Sequence, residues 1–277
     1  IAMKVAAVTF SGGGEPLLYK PLPETIERFA RGGVQIATLT NGANLKGRIA
    51  DVLAAHATWV RVSIDAWDDE SYIKSRKARA GEFTRLIENM RSFAARKSRC
   101  VLGVSFIVGR DNHRRIAQVC RVFKDIGVNH VKLSAVVVGN DADENNRYHR
   151  EFAAAARAEI EKAMTLASRD FAVLDHFHEM GERFEKTYTT CPFLQFLTVI
   201  GADLNVYTCQ DKAYTQDGTL GSIRGRSFRD FWFSDENRAK IAALDPSRRC
   251  RHHCVAHTKN LALTEYLSLD PEHGAFV

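Results

Sequence analysis

From the first residue to about residue 140 the chain alternates short β-branched apolar runs with segments of helical period. That alternation admits few folds. A strand followed by a helix, repeated, brings each strand back parallel to the last and builds one sheet with helices packed on it. The predicted strands are Val5–Phe10, Val34–Thr40, Trp59–Ile64, Val101–Val108 and His130–Val138. Between them, residues such as Phe83, Leu86, Ile87, Met90 and Phe93 recur at three- and four-residue spacing, the mark of one buried helix face. The class is α/β, and five such strands predict a partial or complete barrel. Each strand runs into polar or glycine-containing residues: Ser11-Gly12-Gly13-Gly14-Glu15, Thr40-Asn41-Gly42, Ser63-Ile64-Asp65 and Gly109-Arg110-Asp111-Asn112. Loops after the carboxyl ends of barrel strands form the active-site rim, so one site should collect all four.

Beyond the stretch EFAAAARAEIEKAMTLA, a strong helix by propensity, the style changes. Phe196 to Ile200 and Leu204 to Thr208 read as a hairpin turning at Gly201 to Asp203, followed by an amphipathic segment with Phe228, Phe231, Trp232 and Phe233. The expected division is residues 1–185 and a smaller α+β domain over 186–277. Asp175, His176 and His178 read as a solvated helix end.

Six cysteines divide into two kinds. Cys100 and Cys120 fall among apolar residues and read as core. Cys191 and Cys209 are separated by seventeen residues, and Cys250 and Cys254 by three. Four thiolates can close a tetrahedral zinc site or hold a four-iron cluster; the long first gap favours iron–sulfur. Buried thiols without metal are the alternative. His252 and His253 are possible substitute ligands, with an exposed surface role preferred. Asp211 and Tyr207, close to Cys209 in sequence, are candidates for catalytic residues, weighed against an ordinary place on the hairpin surface.

A formal charge of +6 and a pI near 9.0 could suit an anionic partner. The basic residues are scattered among acids, however, and no patch interleaves them with aromatics, so no nucleic-acid role is expected. No apolar run approaches the roughly 20 residues a membrane span needs, and the first residues lack a secretory pattern. The expectation is a cytoplasmic protein without membrane partners.

The stretch SGGGEPLL resembles the Gly-Gly-Glu-Pro motif of the radical S-adenosylmethionine (SAM) enzymes, carried here by Gly13, Gly14, Glu15 and Pro16. In that family the motif binds the amino group of SAM's methionine moiety. TLTNGANL, with Thr40 and Asn41, is similar to the ending of the family's third strand. VRVSIDAWDDESYIKSRK is similar to the fourth, which would aim Ser63 and Asp65 at the ribose and methionyl group. GVSFIVGRDNHRRI is similar to the fifth, with Asn112 at a common polar position, and VKLSAVVV to the sixth. The resemblance implies a partial (βα)6 barrel. It extends to the C-terminal part, which resembles the twitch and SPASM auxiliary-cluster domains and implies Cys191, Cys209, Cys250 and Cys254 as ligands of an auxiliary 4Fe–4S cluster. The family's Cys-x-x-x-Cys-x-x-Cys does not occur in this sequence. The resemblance implies that it lies in an N-terminal segment before Ile1, with the first strand and a second 4Fe–4S cluster; natural loss is the alternative.

The implied cofactors are therefore SAM and the clusters, and the implied partner is an electron donor such as flavodoxin or ferredoxin. Three functions follow. The first is oxidation of a small sugar- or cyclitol-like molecule, with the auxiliary cluster accepting an electron. The second is maturation of a peptide or protein side chain. The third is a non-catalytic zinc- or cluster-binding protein.

Overall fold

The computed structural model describes residues 1–177, 184–270 and 272. The chain divides into two compact units, Ile1–Val136 with His149–His178, and Val137–Tyr148 with Glu179–Val277. The first unit holds a six-stranded sheet whose strands follow in chain order and pair in parallel throughout. These are β1 (Ala7–Phe10), β2 (Gln35–Thr40), β3 (Trp59–Ser63), β4 (Val101–Val108), β5 (His130–Ala135) and β6 (Ala172–His176). The connecting helices are α1 (Leu22–Arg31), α2 (Gly47–His56), α3 (Asp69–Arg76), α4 (Glu82–Ala94), α5 (Ile116–Asp125), α6 (Ala142–Arg150), most of which is counted with the second unit, and α7 (Ala153–Met164).

Strand period 2 decides which side chains are buried. On β3, Val60 and Val62 are fully buried while Trp59, Arg61 and Ser63 are half-buried on the opposite face. Cross-strand register carries that second face onward, from Arg61 to Gly103 to His130 and from Ser63 to Ser105 to Lys132. The predicted apolar face of α4 is buried at all five positions. Helix α3 starts on a capping box, in which Asp68 accepts from the Ser71 amide at 2.8 Å and the Ser71 hydroxyl accepts from the Asp68 amide at 3.0 Å. Cys100 and Cys120 are core residues, with burial pushing both thiols up to about 12.

Two expectations need correction. The sheet has six strands where five were expected, the additional one being the last, β6. Strand β6 escaped because its apolar run, Phe171 to Leu174, is short and passes directly into Asp175 and His176, and its own residues are half-buried or exposed with no alternation. Asp175 and His176 therefore stand on a strand and not at a helix end, while His178 lies outside the described residues. The long alanine-rich helix is also shorter than expected, with α6 and α7 separated by a turn at residues 151–152.

The second unit contains a three-stranded antiparallel sheet of β7 (Val199–Ile200), β8 (Asn205–Tyr207) and β9 (Thr219–Ser222). Its helices are α8 (Phe228–Trp232), α9 (Asp235–Ala242), α10 (Pro246–Arg249) and α11 (His257–Ser268). The hairpin was expected, but its first strand is shorter, because Pro192–Gln195 form a 3-10 turn and Phe196 and Leu197 are exposed. Leu194, Val206, Leu220, Phe231 and Leu244 form the core. Among the described residues, no helix is long and apolar enough to cross a membrane.

Candidate functional site

The loop after β1 has an unusual backbone. Gly12, Gly13 and Gly14 take φ of 25°, 77° and 155°, a run that side-chain-bearing residues adopt only with strain. A Cβ at Gly12 or Gly14 would meet nothing within 4 Å, so what the protein itself requires of these glycines is their φ. Glu15 then fastens the loop. Its Oε1 accepts from the Leu17 amide at 3.1 Å and from the Thr40 hydroxyl at 2.5 Å, and its Oε2 from the Asn41 amide at 2.8 Å. Thr40 Oγ1 also accepts from the Gly42 amide at 2.9 Å. Pro16 opens the 3-10 turn that Glu15 caps. The carboxylate thus ties the end of β1 to the end of β2.

A second network lies beyond β3 and β4. Asp65 accepts from the Ile107 amide at 2.8 Å through Oδ1 and pairs with the Arg76 guanidinium at 2.9 Å through Oδ2. Arg76 also reaches Ser63 Oγ at 3.3 Å. Burial pushes the Asp65 carboxyl above its usual range, opposed by the Ile107 amide and Arg76. Asn112 is buried and fully engaged: Nδ2 donates to the Asp65 and Ile107 carbonyls at 3.0 and 2.8 Å, and Oδ1 accepts from the Gly109 amide at 2.8 Å. It anchors the loop, leaving Ser63, Asp65 and Arg76 as the polar groups at this rim. Arg76 was missed in the sequence, since nothing in an exposed-looking helix marks one arginine among several.

In the second unit the four cysteines Cys191, Cys209, Cys250 and Cys254 are free thiols. They lie close enough to influence one another: Cys250 feels Cys209 and Cys191, and Cys191 feels Cys254. Burial raises all four, Cys250 to about 11. Backbone amides counter that rise, from Leu194 at Cys191, Lys212 and Asp211 at Cys209, and Ala256 at Cys254. The Asn260 side chain contacts the Cys191 sulfur and Tyr188 the Cys254 sulfur.

Two buried lysines stand beside this group. Lys186 donates to the Phe184 and His252 carbonyls at 2.8 and 2.5 Å, and Lys212 to the Arg249 carbonyl at 2.7 Å while pairing with Asp217 at 2.5 Å. Converging thiols, amides aimed at sulfur and nearby ammonium groups suit thiolates that bind metal. The donor set therefore fits the implied cluster.

The two candidates near Cys209 part company. Tyr207 is buried, and its hydroxyl donates to Asp203 in a short hydrogen bond that braces the hairpin. Asp211 lies at the thiol group with its side chain exposed to solvent; partial desolvation there raises its carboxyl pKa while the Val255 amide and Lys186 hold it down. His252, expected on an exposed surface, is half-buried beside Cys209, and burial depresses its imidazole to about 4.

Residues 2–123 match the family model described as Radical SAM superfamily. The S-adenosylmethionine-dependent nucleotide dehydratase of Lacinutrix mariniflava is 36% identical over 86 residues, 30% of this chain and 18% of that protein. The chain thus matches under a fifth of that curated relative's length. Streptococcus suis SuiB bound to its precursor peptide SuiA superposes with a TM-score of 0.58 at 13% identity, covering 90% of this chain and 61% of that one. Polyhistidine-tagged anSMEcpe with bound AdoMet gives 0.56 at 14% identity, covering 86% and 69%. At these identities the structural likeness is one of fold.

Proposed function

We propose that this chain, whose residues 2–123 belong to the radical SAM superfamily, oxidises a small sugar- or cyclitol-like molecule, with an auxiliary 4Fe–4S cluster in its second unit receiving the electron. The observation that carries the reading is the gathering of four free thiols, with amides and ammonium groups around them, in a chain that also has the glycine loop and its Glu15 clamp. When bound, SAM and its cluster would supply radical chemistry able to remove a hydrogen atom from the substrate.

The chain's residues prepare the site for that chemistry. The carbonyls of the loop Gly12 to Gly14 accept from the ammonium of SAM, while Glu15 holds the loop against β2 and spares it reorganisation on binding. Ser63, Asp65 and Arg76 supply hydroxyl, carboxylate and guanidinium to the ribose and methionyl groups, and Asn112 fixes the loop beside them. Cys191, Cys209, Cys250 and Cys254 hold the auxiliary cluster, and Asn260 and Tyr188 tune its sulfurs. Electrons reach the enzyme from a small donor such as flavodoxin or ferredoxin.

The test is anaerobic reconstitution followed by iron and sulfide analysis. About four of each per chain, lost in Cys209→Ala, is the expected result. A protein that takes up no iron would overturn the electron-acceptor role. A second reading, modification of a peptide, draws on the fold shared with SuiB, whose structure was solved with its precursor peptide. Co-purification of a small peptide with the intact protein would favour it.

A further inference from the structure

Asp211 and His252 have no place in a four-cysteine ligand set, yet they stand against one of its members. One ligand atom each from Cys209, Asp211 and His252 lies within 4.8 Å of the other two. We propose that these three residues form a mononuclear site for a zinc-like divalent cation, overlapping the cysteine group at Cys209. The inference does not depend on the auxiliary cluster, because only one of the four cysteines is needed.

The local structure explains the convergence. Cys209 caps the short turn Gln210–Lys212, which carries Asp211 two residues further on, and His252 lies in the middle of the loop from Cys250 to Cys254. Two links hold turn and loop together: the Val255 amide donates to the Asp211 carboxylate, and Lys212 donates to the Arg249 carbonyl at 2.7 Å. At ordinary zinc bond lengths, ligand atoms of a tetrahedral site stand roughly 3.3–3.5 Å apart, so closure asks for a shift on the order of 1 Å.

The donor chemistry selects the ion. Thiolate, carboxylate and neutral imidazole together carry two negative charges, matching a divalent cation, and a mixed S, O, N set favours zinc over magnesium or calcium, which take oxygen ligands. Three protein ligands leave a fourth position for water. The Lys186 ammonium faces the same carboxylate and is the competitor a metal ion must overcome. Because Cys209 belongs to both ligand sets, a zinc-loaded chain would not hold the four-cysteine cluster, and metal supply would decide which centre forms.

The experiment titrates the metal-free chain with zinc, and in parallel with cobalt as an optical probe. One zinc per chain is expected, with tetrahedral cobalt bands and thiolate charge transfer of single-sulfur strength. Affinity should fall at least tenfold in His252→Ala and Asp211→Asn and stay within about threefold in Cys191→Ser. His252→Cys separates ligation from folding: it should restore zinc binding and add a second sulfur's charge transfer. Absence of saturable zinc binding would overturn the site. So would binding lost in Cys191→Ser yet indifferent to His252→Ala, or His252→Cys without added charge transfer, since zinc would then be using the cysteines alone.

Discussion

Glu15 shows how one carboxylate can be read in two ways. In the sequence it is an acid positioned for an ammonium; in the structure its oxygens accept three protein hydrogen bonds, two of them reaching β2 and the loop after it. Glu15→Gln keeps the shape but presents an NH2 to donors that need an acceptor. It should cost roughly 1–3 kcal/mol in urea unfolding, together with SAM affinity, because the glycine loop loses its fastening. Gly14→Ala separates the two effects. Its Cβ has open space, so the strain of φ 155° should weaken SAM binding in equilibrium dialysis without the steric damage of a core substitution. An affinity equal to wild type would show that the loop's conformation is not what SAM recognises. Asn112→Ala leaves the Gly109 amide without its side-chain acceptor and two carbonyls without their side-chain donor, and should destabilise the fold by at least about 2 kcal/mol.

Among elements, β4 and β5 depend on one missing side chain. A Cβ at Gly103 would collide with the His130 imidazole, so the ring occupies the space that glycine leaves. Gly103→Ala should cost about 1–3 kcal/mol by overpacking, measured by thermal or urea unfolding. His130 also gives this pair of strands a pH dependence. Burial, with Arg61 nearby, lowers its pKa below the usual histidine range, so the folded chain keeps it neutral. As pH falls below about 6.5 the unfolded chain takes up the proton first; this contribution is complete above that pH and drains away toward the lower folded value. The urea midpoint should therefore drop between about pH 7.5 and pH 5.5, and drop less in His130→Gln. Equal slopes would sink the assignment. His252 pulls in the same direction in the metal-free chain, so the comparison of variants isolates His130.

For the whole molecule, the cysteines give a map that one labelling experiment can read. Enclosed in the core, with their thiols pushed up to about 12, Cys100 and Cys120 should resist iodoacetamide at about pH 8 in the native metal-free chain, while the half-buried Cys191, Cys209 and Cys254 react and Cys250, raised to about 11, reacts more slowly. Reconstitution should protect those four and leave the pattern at Cys100 and Cys120 unchanged. What the sequence by itself determined is whatever local periodicity encodes: five of six parallel strands, the buried face of α4, the core status of Cys100 and Cys120, and the glycine loop with its acid. Period 2 and period 3.6 are written within a few residues and need no distant partner. Strand β6 has no such period and is defined only by pairing with β5. Tertiary structure alone decided which polar groups are occupied and which meet. Asn112 is spent on its own loop and on the Asp65 carbonyl, Tyr207 on Asp203, and Arg76 arrives at Asp65 from eleven residues away. His252 comes to Cys209 across a long stretch of chain. Spacing along a chain carries no distance once the intervening loops close, because closure is set by the packing of the elements between.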